Sequence, residues 1–254
     1  MTPDQSDVAQ RVRDANRRLY DAVASRYEAV DGRRSPEVEA WLRGILAGLR
    51  RGTSGGRLLD LGTGAGLVPR CAHGIFDFRV GLDISPAILA HHRAAFDAGV
   101  SAEVEQIPFA DGSFDAITCF ATLHHLPAFE GLASEVARLL APGGVFYADH
   151  DMDGVFYRRF APLLTLYRWL HDARARYVRE SPQITPDLYD DAEWHQHGIP
   201  AEHVVGLLRR AGLQVEIGRH WYGLNPVTDR LFGTRLCPRG WAPLVAVVAR
   251  RGAA

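Results

Sequence analysis

The strongest constraint on the fold is a glycine-rich turn early in the sequence. Residues 57–61 form a short apolar run typical of a buried strand, and residues 67–72 are predicted to begin a helix. Gly62, Gly64 and Gly66 lie between them. Glycine lets the backbone approach a ligand closely, and the start of a helix offers unpaired N–H groups. The segment therefore predicts a strand–turn–helix unit with a ligand at the turn.

Beyond this unit, short apolar runs alternate with helical patterns. The runs lack the polar–apolar alternation of a half-exposed sheet, so both faces are expected to be covered by helices. This predicts an α/β fold, a Rossmann-like, doubly wound, mostly parallel seven-stranded sheet with an antiparallel last strand at its edge. The predicted strands are residues 57–61, 79–83, 101–104, 114–120, 144–149, 213–217 and 243–249, and the helices between them are 67–72, 86–92, 130–140 and 201–211.

Two segments lie outside this alternation. Residues 1–50 have apolar positions at helical spacing, with one helix predicted over 8–30 and another beginning at the Ser35-Pro36 cap. Residues 151–200 are rich in aromatic residues and arginine, and predict a helical cap inserted after strand five, over the substrate site. The arginines of this cap are interpreted as a solvated helix face, and contact with a phosphate- or carboxylate-bearing acceptor is the alternative interpretation. We expect residues 1–254 to form a single domain that includes both segments.

Charge and cysteine content exclude several partners and sites. The chain has 29 basic and 30 acidic residues and a formal net charge of -1, which predicts neither a nucleic-acid partner nor a membrane partner. Its basic residues other than histidine are all arginine, which excludes a Schiff-base lysine and a P-loop lysine. Three cysteines without a Cys-x-x-Cys pair, and the lack of a recognisable export signal, favour a cytoplasmic protein.

Two carboxylates near the turn indicate which ligand it holds. Asp83 ends the second strand, where a carboxylate reaches ribose hydroxyls in folds of this kind. Asp60 lies two residues before Gly62, where it would repel a pyrophosphate and attract an ammonium or sulfonium group. The spacing Gly-x-Gly-x-Gly also differs from the Gly-x-Gly-x-x-Gly of dinucleotide folds. Together these features favour S-adenosylmethionine over NAD.

Several motifs taken together resemble one family. The first strand and its turn resemble motif I of the class I S-adenosylmethionine-dependent methyltransferases. Four other stretches resemble the small-molecule branch of that family, which includes the ubiquinone and menaquinone methyltransferases. The resembling stretches are residues 58–66, 81–86, 107–115, 139–144 and, in the opening helix, 20–28. The resemblance extends from about residue 20 to residue 149, and it implies the family's fold and its methyl-donor cofactor.

The resemblance also implies contacts at the polar end of the cofactor. Backbone groups of the turn would hold the methionine end, with Asp60 near its amino group. Asp83 would bind the ribose. The turn residues concerned are Gly62, Thr63, Gly64 and Gly66.

The remaining implied contacts enclose the adenine and the methionine chain. Ile84 would flank the adenine, and Glu103 and Val104 would meet its edge, Glu103 standing where the family often has Asp. Phe120 would lie beside the methionine moiety, and Tyr27 would close over the cofactor. Ordinary core packing is the alternative interpretation for Ile84 and Phe120.

Two histidines are candidate catalytic bases. Methyl transfer from a sulfonium is a direct displacement, so alignment and exclusion of water supply much of the acceleration, and a base matters only when the acceptor must lose a proton. His124 follows strand four, and His150 follows strand five between Asp149 and Asp151, which would raise its basicity. His150 is the preferred base. The alternative is that loop backbone groups simply satisfy both imidazoles.

A metal site is not predicted. Residues of suitable ligand type are Asp149, Asp151, His195 and His197. Magnesium-dependent O-methyltransferases need an acid just after strand four, where this chain has Ala121-Thr122. The stretch 194–197 is instead expected to line or flank the acceptor pocket.

The sequence therefore predicts an enzyme that transfers a methyl group from S-adenosylmethionine to an oxygen, nitrogen or carbon of a small molecule. The aromatic cap favours an apolar or aromatic acceptor. Two alternatives stay open: an NAD-dependent oxidoreductase, and a protein that binds S-adenosylmethionine without catalysis. The sequence predicts no oligomeric state.

Overall fold

The computed structural model describes residues 3–30, 35–170 and 173–253. Its strands are β1 (Arg57–Leu61), β2 (Phe78–Asp83), β3 (Ala98–Ser101), β4 (Phe114–Phe120), β5 (Leu140–Met152), β6 (Gln214–His220) and β7 (Leu244–Arg250). They form one seven-stranded sheet with the order β3-β2-β1-β4-β5-β7-β6. Strands β1 to β5 pair in parallel, whereas β7 is antiparallel to both β5 and β6.

The predicted antiparallel last strand is confirmed, but its place in the sheet differs from the expectation. Strand β7 lies inside the sheet between β5 and β6, and β6 forms the edge. Residues 244–250 are apolar at nearly every position, and most are buried. Such a strand is more stable between two neighbours than at an edge exposed to water.

The helices are α1 (Pro3–Val23), α2 (Tyr27–Val30), α3 (Pro36–Arg51), α4 (Leu67–Cys71), α5 (Pro86–His91), α6 (Glu130–Leu139), α7 (Gly154–Arg159), α8 (Ala161–Leu170), α9 (Ala173–Glu180), α10 (Pro186–Ala192), α11 (Ala201–Arg210) and α12 (Pro226–Phe232). The two predicted serine caps are present, because Ser35 Oγ accepts from Val38 N–H and Ser85 Oγ accepts from Ile88 N–H. The single helix predicted over 8–30 is interrupted by a 3₁₀ turn, Ala24–Arg26.

Buried apolar side chains cover both faces of the sheet. Leu59 and Ile117 pack on the side of α6 and α11, whereas Leu58 and Ala116 pack on the side of α3 and α4. Neighbouring residues of one strand therefore enter opposite cores, which accounts for the unbroken apolar runs in the sequence. Each fully buried leucine contributes roughly 1.5–3 kcal/mol of hydrophobic stabilisation.

Helices of residues 151–200 pack on the first helix and not only on the sheet. Leu19 and Val23 of α1 form one buried cluster with Tyr177 of α9 and with Leu188 and Tyr189 of α10. The first helix and the inserted helices therefore cover the carboxyl ends of the central strands together. Within the described ranges, none of the helices has the length and apolar character needed to cross a membrane.

Three expectations about element bounds were wrong. Strand β3 lies at residues 98–101 and not at 101–104, β5 begins at Leu140 and not at Gly144, and a helix, α12, occupies part of the segment expected to be a loop. Strand β3 is half exposed at the sheet edge, so its sequence carries little apolar signal and its pairing with β2 decides its position.

Candidate active site

The glycine-rich turn follows β1 at the carboxyl edge of the sheet. Gly62, Gly64 and Gly66 all have positive φ, at 64°, 50° and 74°. A Cβ on Gly62 would overlap the side chain of Thr122, and one on Gly66 would overlap Ala95. Gly62, Thr63 and Gly64 line a cleft, but Gly66 does not. Gly66 therefore serves the close packing of the turn rather than the cleft surface.

Asp60 is a buried carboxylate at the base of this cleft. Its exposed fraction is 2%, and it accepts a hydrogen bond from the Thr118 hydroxyl at 2.7 Å. Burial raises its pKa to about 7, and the hydrogen bond only partly offsets that effect. The donor is neutral, so this contact does not compensate the carboxylate charge. A cationic ligand in the cleft would do so.

Asp83 joins the end of β2 to the turn. Its carboxylate accepts from the backbone N–H of Gly64 and from that of Ser85, both at 2.9 Å. Burial raises the pKa of Asp83 to about 6 despite these two bonds. The carboxylate therefore holds the turn in place and still lines the cleft.

The other residues implied by the family resemblance also meet at this cleft. Ile84, Glu103, Val104, Phe120 and Tyr27 all line it. The ring of Tyr27 would lie 3.2 Å from a Cβ on Gly64, so the Tyr27 ring lies close against the turn. The cleft thus combines a glycine cradle, a buried carboxylate and apolar walls, which fit the methionine, ribose and adenine parts of S-adenosylmethionine.

The first helix adds cleft residues that the sequence reasoning missed. Arg13, Asn16 and Tyr20 line the cleft from α1. Arg13 Nε lies 3.2 Å from a carboxylate oxygen of Glu103, so the helix is tied to the far wall of the cleft. The three residues are spaced at i, i+3 and i+7, so they lie on a single face of the helix. This polar face was the sequence signal from which their place at the cleft could have been predicted.

His125 is a fourth cleft residue that was not predicted, and its neighbours leave it neutral. Nδ1–H donates to the carbonyl of Ala192 at 2.9 Å, and the Tyr20 hydroxyl donates to Nε2 at 2.8 Å. Burial, together with the charge of neighbouring His124, lowers the pKa of His125 to about 4. Since both nitrogens are occupied, His125 ties α1 to the cap and is not placed to accept a further proton.

A second cavity of about 540 Å³ lies under the cap, next to the cleft. His125 lines the cleft while the adjacent His124 lines this cavity, and their ring centroids are 3.9 Å apart. The cavity wall is formed by His124, His150, Met152, Arg168, Trp169, Ala173, Arg174, Tyr189, Asp190, Glu193, His195, Gln196, Gly223, Leu224 and Leu244. His195 and Gln196 of the stretch 194–197 line this cavity.

His124 is held by two carboxylates. Its Nδ1 lies 2.6 Å from Asp151, and its Nε2 lies 3.5 Å from Glu193. Asp151 also accepts from the backbone N–H groups of Leu123 and His124. Burial alone would raise the pKa of Asp151, but these partners lower it. Because Asp151 is ionised, it accepts from Nδ1–H of His124, and the carboxylate of Glu193 lies on the side of Nε2.

His150 differs from its predicted setting. Its Nδ1 lies 3.0 Å from a carboxylate oxygen of Asp149, but the carboxylate of Asp151 pairs with His124 instead. His150 is therefore not held between the two carboxylates. Its ring stacks on Phe120 with centroids 4.2 Å apart, which puts Phe120 between His150 and the cofactor cleft. A Cβ on Gly223 would overlap its Nε2, so the loop after β6 covers that nitrogen.

A third histidine completes the hydrogen-bond cluster around Asp149. His220, from the end of β6, donates from Nε2 to the same carboxylate oxygen at 2.8 Å. Burial alone would raise the pKa of Asp149, but His150 and His220 together hold it below its usual range. Asp149 in turn raises the pKa of His220 against the effect of burial. No sequence pattern links His220 to Asp149, because 71 residues separate them.

The candidate metal ligands of the sequence do not assemble as one set. Within the described ranges, the groups with converging ligand atoms are His124, His125 and Glu193, and Asp149, His150 and His220. Neither group is the set Asp149, Asp151, His195 and His197. The hydrogen bonds described above account for the geometry of both groups.

Comparison with known proteins identifies the family. A family model described as a methyltransferase domain matches residues 59–148. The chain is 31% identical over 202 residues to demethylmenaquinone methyltransferase of Beutenbergia cavernae, covering 76% of this chain and 80% of that protein. It is 27% identical to a ubiquinone biosynthesis O-methyltransferase of Klebsiella pneumoniae, covering 61% of this chain and 68% of that one.

Solved structures show the same fold. An S-adenosylmethionine-dependent methyltransferase of Thermotoga maritima superimposes with a TM-score of 0.59 at 14% identity, covering 92% of this chain and 98% of that one. One from Mesorhizobium loti has a TM-score of 0.55 at 19% identity, covering 82% of this chain and 96% of that one.

Proposed function

The chain belongs to the class I S-adenosylmethionine-dependent methyltransferases, in the ubiquinone and menaquinone methyltransferase branch, and on this premise we propose that its acceptor is a hydroxylated, largely apolar aromatic small molecule. S-adenosylmethionine is the methyl donor of this family. The proposal depends on one observation: the cavity lined by His124, which pairs with the buried Asp151, adjoins the cleft at His125. Nothing in the comparisons favours an NAD-dependent oxidoreductase or a non-catalytic binding protein.

The composition of the cavity wall supports an aromatic acceptor. Met152, Trp169, Tyr189, Leu224 and Leu244 present apolar or aromatic surface, and the volume of about 540 Å³ lies within the usual range for a small-molecule site. Two relatives are named for methylation in menaquinone and ubiquinone biosynthesis. Both names support an acceptor of the quinol or phenol class.

The residues at the cleft define how the cofactor would be held. Bound S-adenosylmethionine supplies a methyl group made electrophilic by the adjacent sulfonium. Asp60 would face the cationic methionine end, and Asp83 would accept from the ribose hydroxyls while it keeps the turn in place. The other members of the proposed cofactor site are Gly62, Thr63, Gly64, Ile84, Glu103, Val104, Phe120 and Tyr27, with Gly66 supporting the turn from behind.

His124 is proposed as the base that accepts the proton of the acceptor hydroxyl. Its Nδ1–H is directed to Asp151, which orients the ring, and Nε2, on the side of Glu193, would exchange the proton with the acceptor. Once Nε2 is protonated, the imidazolium lies between the carboxylates of Asp151 and Glu193, which stabilise its charge. His150, which lies behind Phe120 and is covered by Gly223, would instead orient the aromatic wall. The sequence-based preference between the two histidines is therefore reversed.

The two segments outside the sheet alternation are proposed to close the site. Residues 1–50 supply α1, whose Arg13 and Tyr20 cover the cofactor cleft, and residues 151–200 supply the roof of the acceptor cavity. Exclusion of water from both compartments strengthens the electrostatic contacts that align the reacting groups. All of these parts would act as one methyltransferase domain over residues 1–254. The cytoplasmic location stays a prediction.

The test is a product assay with a panel of phenols, quinols, primary amines and carboxylic acids. We expect S-adenosylhomocysteine to form with phenols or quinols, and His124→Gln to reduce turnover roughly 10²-fold without a change in S-adenosylhomocysteine affinity. His203→Gln, which changes a half-exposed histidine away from both cavities, is the control. Turnover with amines alone, or an undiminished rate in His124→Gln, would contradict the proposed acceptor and base.

A further inference from the structure

Exposed apolar side chains of the described residues are concentrated in two segments of the chain. Among the described residues, eleven large hydrophobic side chains are exposed, and ten of them lie in α8 or in the segment 221–241. The ten are Leu163, Leu166, Tyr167, Trp169, Leu224, Val227, Leu231, Phe232, Leu236 and Trp241. Single exposed apolar residues are ordinary on a protein surface, but a contiguous set marks a binding surface.

Aromatic contacts join the two segments into one surface. Trp221 packs against Phe156 of α7 with ring centroids 5.3 Å apart, and it stacks on Phe232 of α12 at 4.9 Å. The indole N–H of Trp221 also donates to the carbonyl of Trp241 at 3.0 Å. The ring of Phe160, which lies between α7 and α8, has its centroid 6.3 Å from that of Trp241. We name the surface formed by residues 154–170 and 221–241 the aromatic face.

The charge of the aromatic face differs from that of the chain as a whole. Six arginines lie in it, namely Arg158, Arg159, Arg168, Arg230, Arg235 and Arg239. Its one acid is Asp229, which accepts from the backbone N–H of Gly223, and Glu202 of α11 approaches Arg239 from outside at 3.4 Å. A formal net charge of -1 for the whole chain therefore conceals a strongly cationic surface.

We propose that the aromatic face docks on an anionic lipid bilayer. Tryptophan, tyrosine and leucine side chains placed among arginines are the composition that suits the boundary between lipid headgroups and acyl chains. A surface contact of this kind needs no membrane-spanning helix. The expectation of no membrane partner came from the net charge, which averages over the sequence and ignores where the arginines lie.

The face also borders the mouth of the second cavity. Arg168 and Trp169 of α8, and Gly223 and Leu224 of the segment 221–241, line that cavity. A docked protein would therefore present the cavity to the bilayer, and an apolar acceptor could pass from the lipid to the cavity without crossing water. This consequence depends on the proposed acceptor, whereas the docking itself does not.

Vesicle flotation of the full chain tests the docking. The vesicles contain phosphatidylglycerol mixed with phosphatidylcholine, or phosphatidylcholine alone. We expect the protein to float with the anionic vesicles, to dissociate from them as salt increases, and to bind much less to the neutral ones. No flotation with anionic vesicles, or equal flotation with both, would overturn the proposal.

Two sets of variants separate the apolar and the charge contributions. The double variant Val227→Gln with Leu231→Gln changes two side chains that are each 67% exposed, and the bound fraction should fall several-fold. Phe78→Gln, an exposed aromatic outside the face, should bind like wild type. Arg230→Gln with Arg235→Gln should lower the affinity for anionic vesicles about tenfold or more at low salt. Unchanged binding in both double variants would refute the assignment of the face.

Light scattering and cofactor titration complete the test. A dimer that the double variant Val227→Gln with Leu231→Gln dissociates, in a protein that does not float, would show that the face pairs two copies of the chain and would overturn the lipid proposal. Titration with S-adenosylhomocysteine should be unaffected by these substitutions, which confirms folding. It also separates the two proposals, because flotation needs no methyl transfer.

Discussion

The protonation state of Asp60 should control how tightly the cleft binds its cationic cofactor. Asp60 is buried beside the glycine turn, and burial is the main reason that its pKa rises to about 7. An ammonium or sulfonium group favours the ionised carboxylate, so the affinity should increase as pH rises and Asp60 loses its proton. Acidification should have the opposite effect.

The size of the effect follows from that pKa. With a pKa of about 7, Asp60 is roughly three-quarters ionised at pH 7.5 and roughly one-tenth ionised at pH 6.0. If the cofactor binds only the ionised form, its affinity should fall about eightfold between these two pH values, or about 1.2 kcal/mol. Binding near pH 6.5 should also release protons, since the ligand selects the deprotonated state.

Isothermal titration with S-adenosylmethionine, in buffers of different ionisation enthalpy, measures both quantities. Asp60→Asn is the matched variant, because it keeps the size and the Thr118 contact of the side chain but cannot ionise. It should bind more weakly at pH 7.5. Its pH profile should contain only the titration of the ligand and of Asp83, whose pKa is about 6. Identical profiles for both proteins, or a wild-type affinity that rises on acidification, would refute the placement of the cation beside Asp60.

Three further predictions concern the base, the turn and a buried ion pair. With a phenolic acceptor, the loss of turnover in His124→Gln should be smaller at high pH, because the acceptor then ionises without a base. The pH–rate profile of His124→Gln, compared with that of the control His203→Gln, measures this difference. Gly66→Ala should lower the free energy of unfolding by roughly 2–4 kcal/mol, because it combines a positive φ with overlap of the new Cβ at the turn. The control is Gly74→Ala, where φ is 76° and the Cβ meets open space, and it should lower the free energy of unfolding by only roughly 1 kcal/mol. Urea denaturation measures both losses. Arg219→Ala should lower the free energy of unfolding by about 3–5 kcal/mol in the same assay, because it leaves the buried carboxylate of Asp153 without its cationic partner. Equal losses for the two glycine variants, or a loss below about 1 kcal/mol for Arg219→Ala, would contradict these assignments.

Local patterns were sufficient for much of the scaffold. Strands β1 and β4 occupy the predicted residues, because each is an apolar run whose side chains enter cores on both faces of the sheet. Ser35 and Ser85 cap their helices as predicted, since a cap requires only a hydroxyl three residues before an N–H. The turn after β1 was also predictable, because its glycines take backbone conformations that other residues avoid.

Elements stabilised mainly by their neighbours were less predictable. The pairing of β3 with β2 sets its position, as its own sequence is weakly apolar. Helix α12 begins at an Asn225-Pro226 cap, but the helix is short and has no buried face to give a periodic pattern. Strand β7 lies inside the sheet because burial on two sides favours its apolar residues, and the chain order alone does not contain that information.

The sequence by itself determined the fold class and the glycine turn after β1, since apolar runs and glycine spacing are local features of the chain. The tertiary structure decided the rest of the site. It pairs His124 with Asp151, places Phe120 between His150 and the cleft, and brings His220 to Asp149 across 71 residues. It also gathers arginines and aromatic side chains from two distant segments on one face. Distances through space set electrostatic and hydrophobic interactions, and composition, net charge and spacing along the chain do not report those distances.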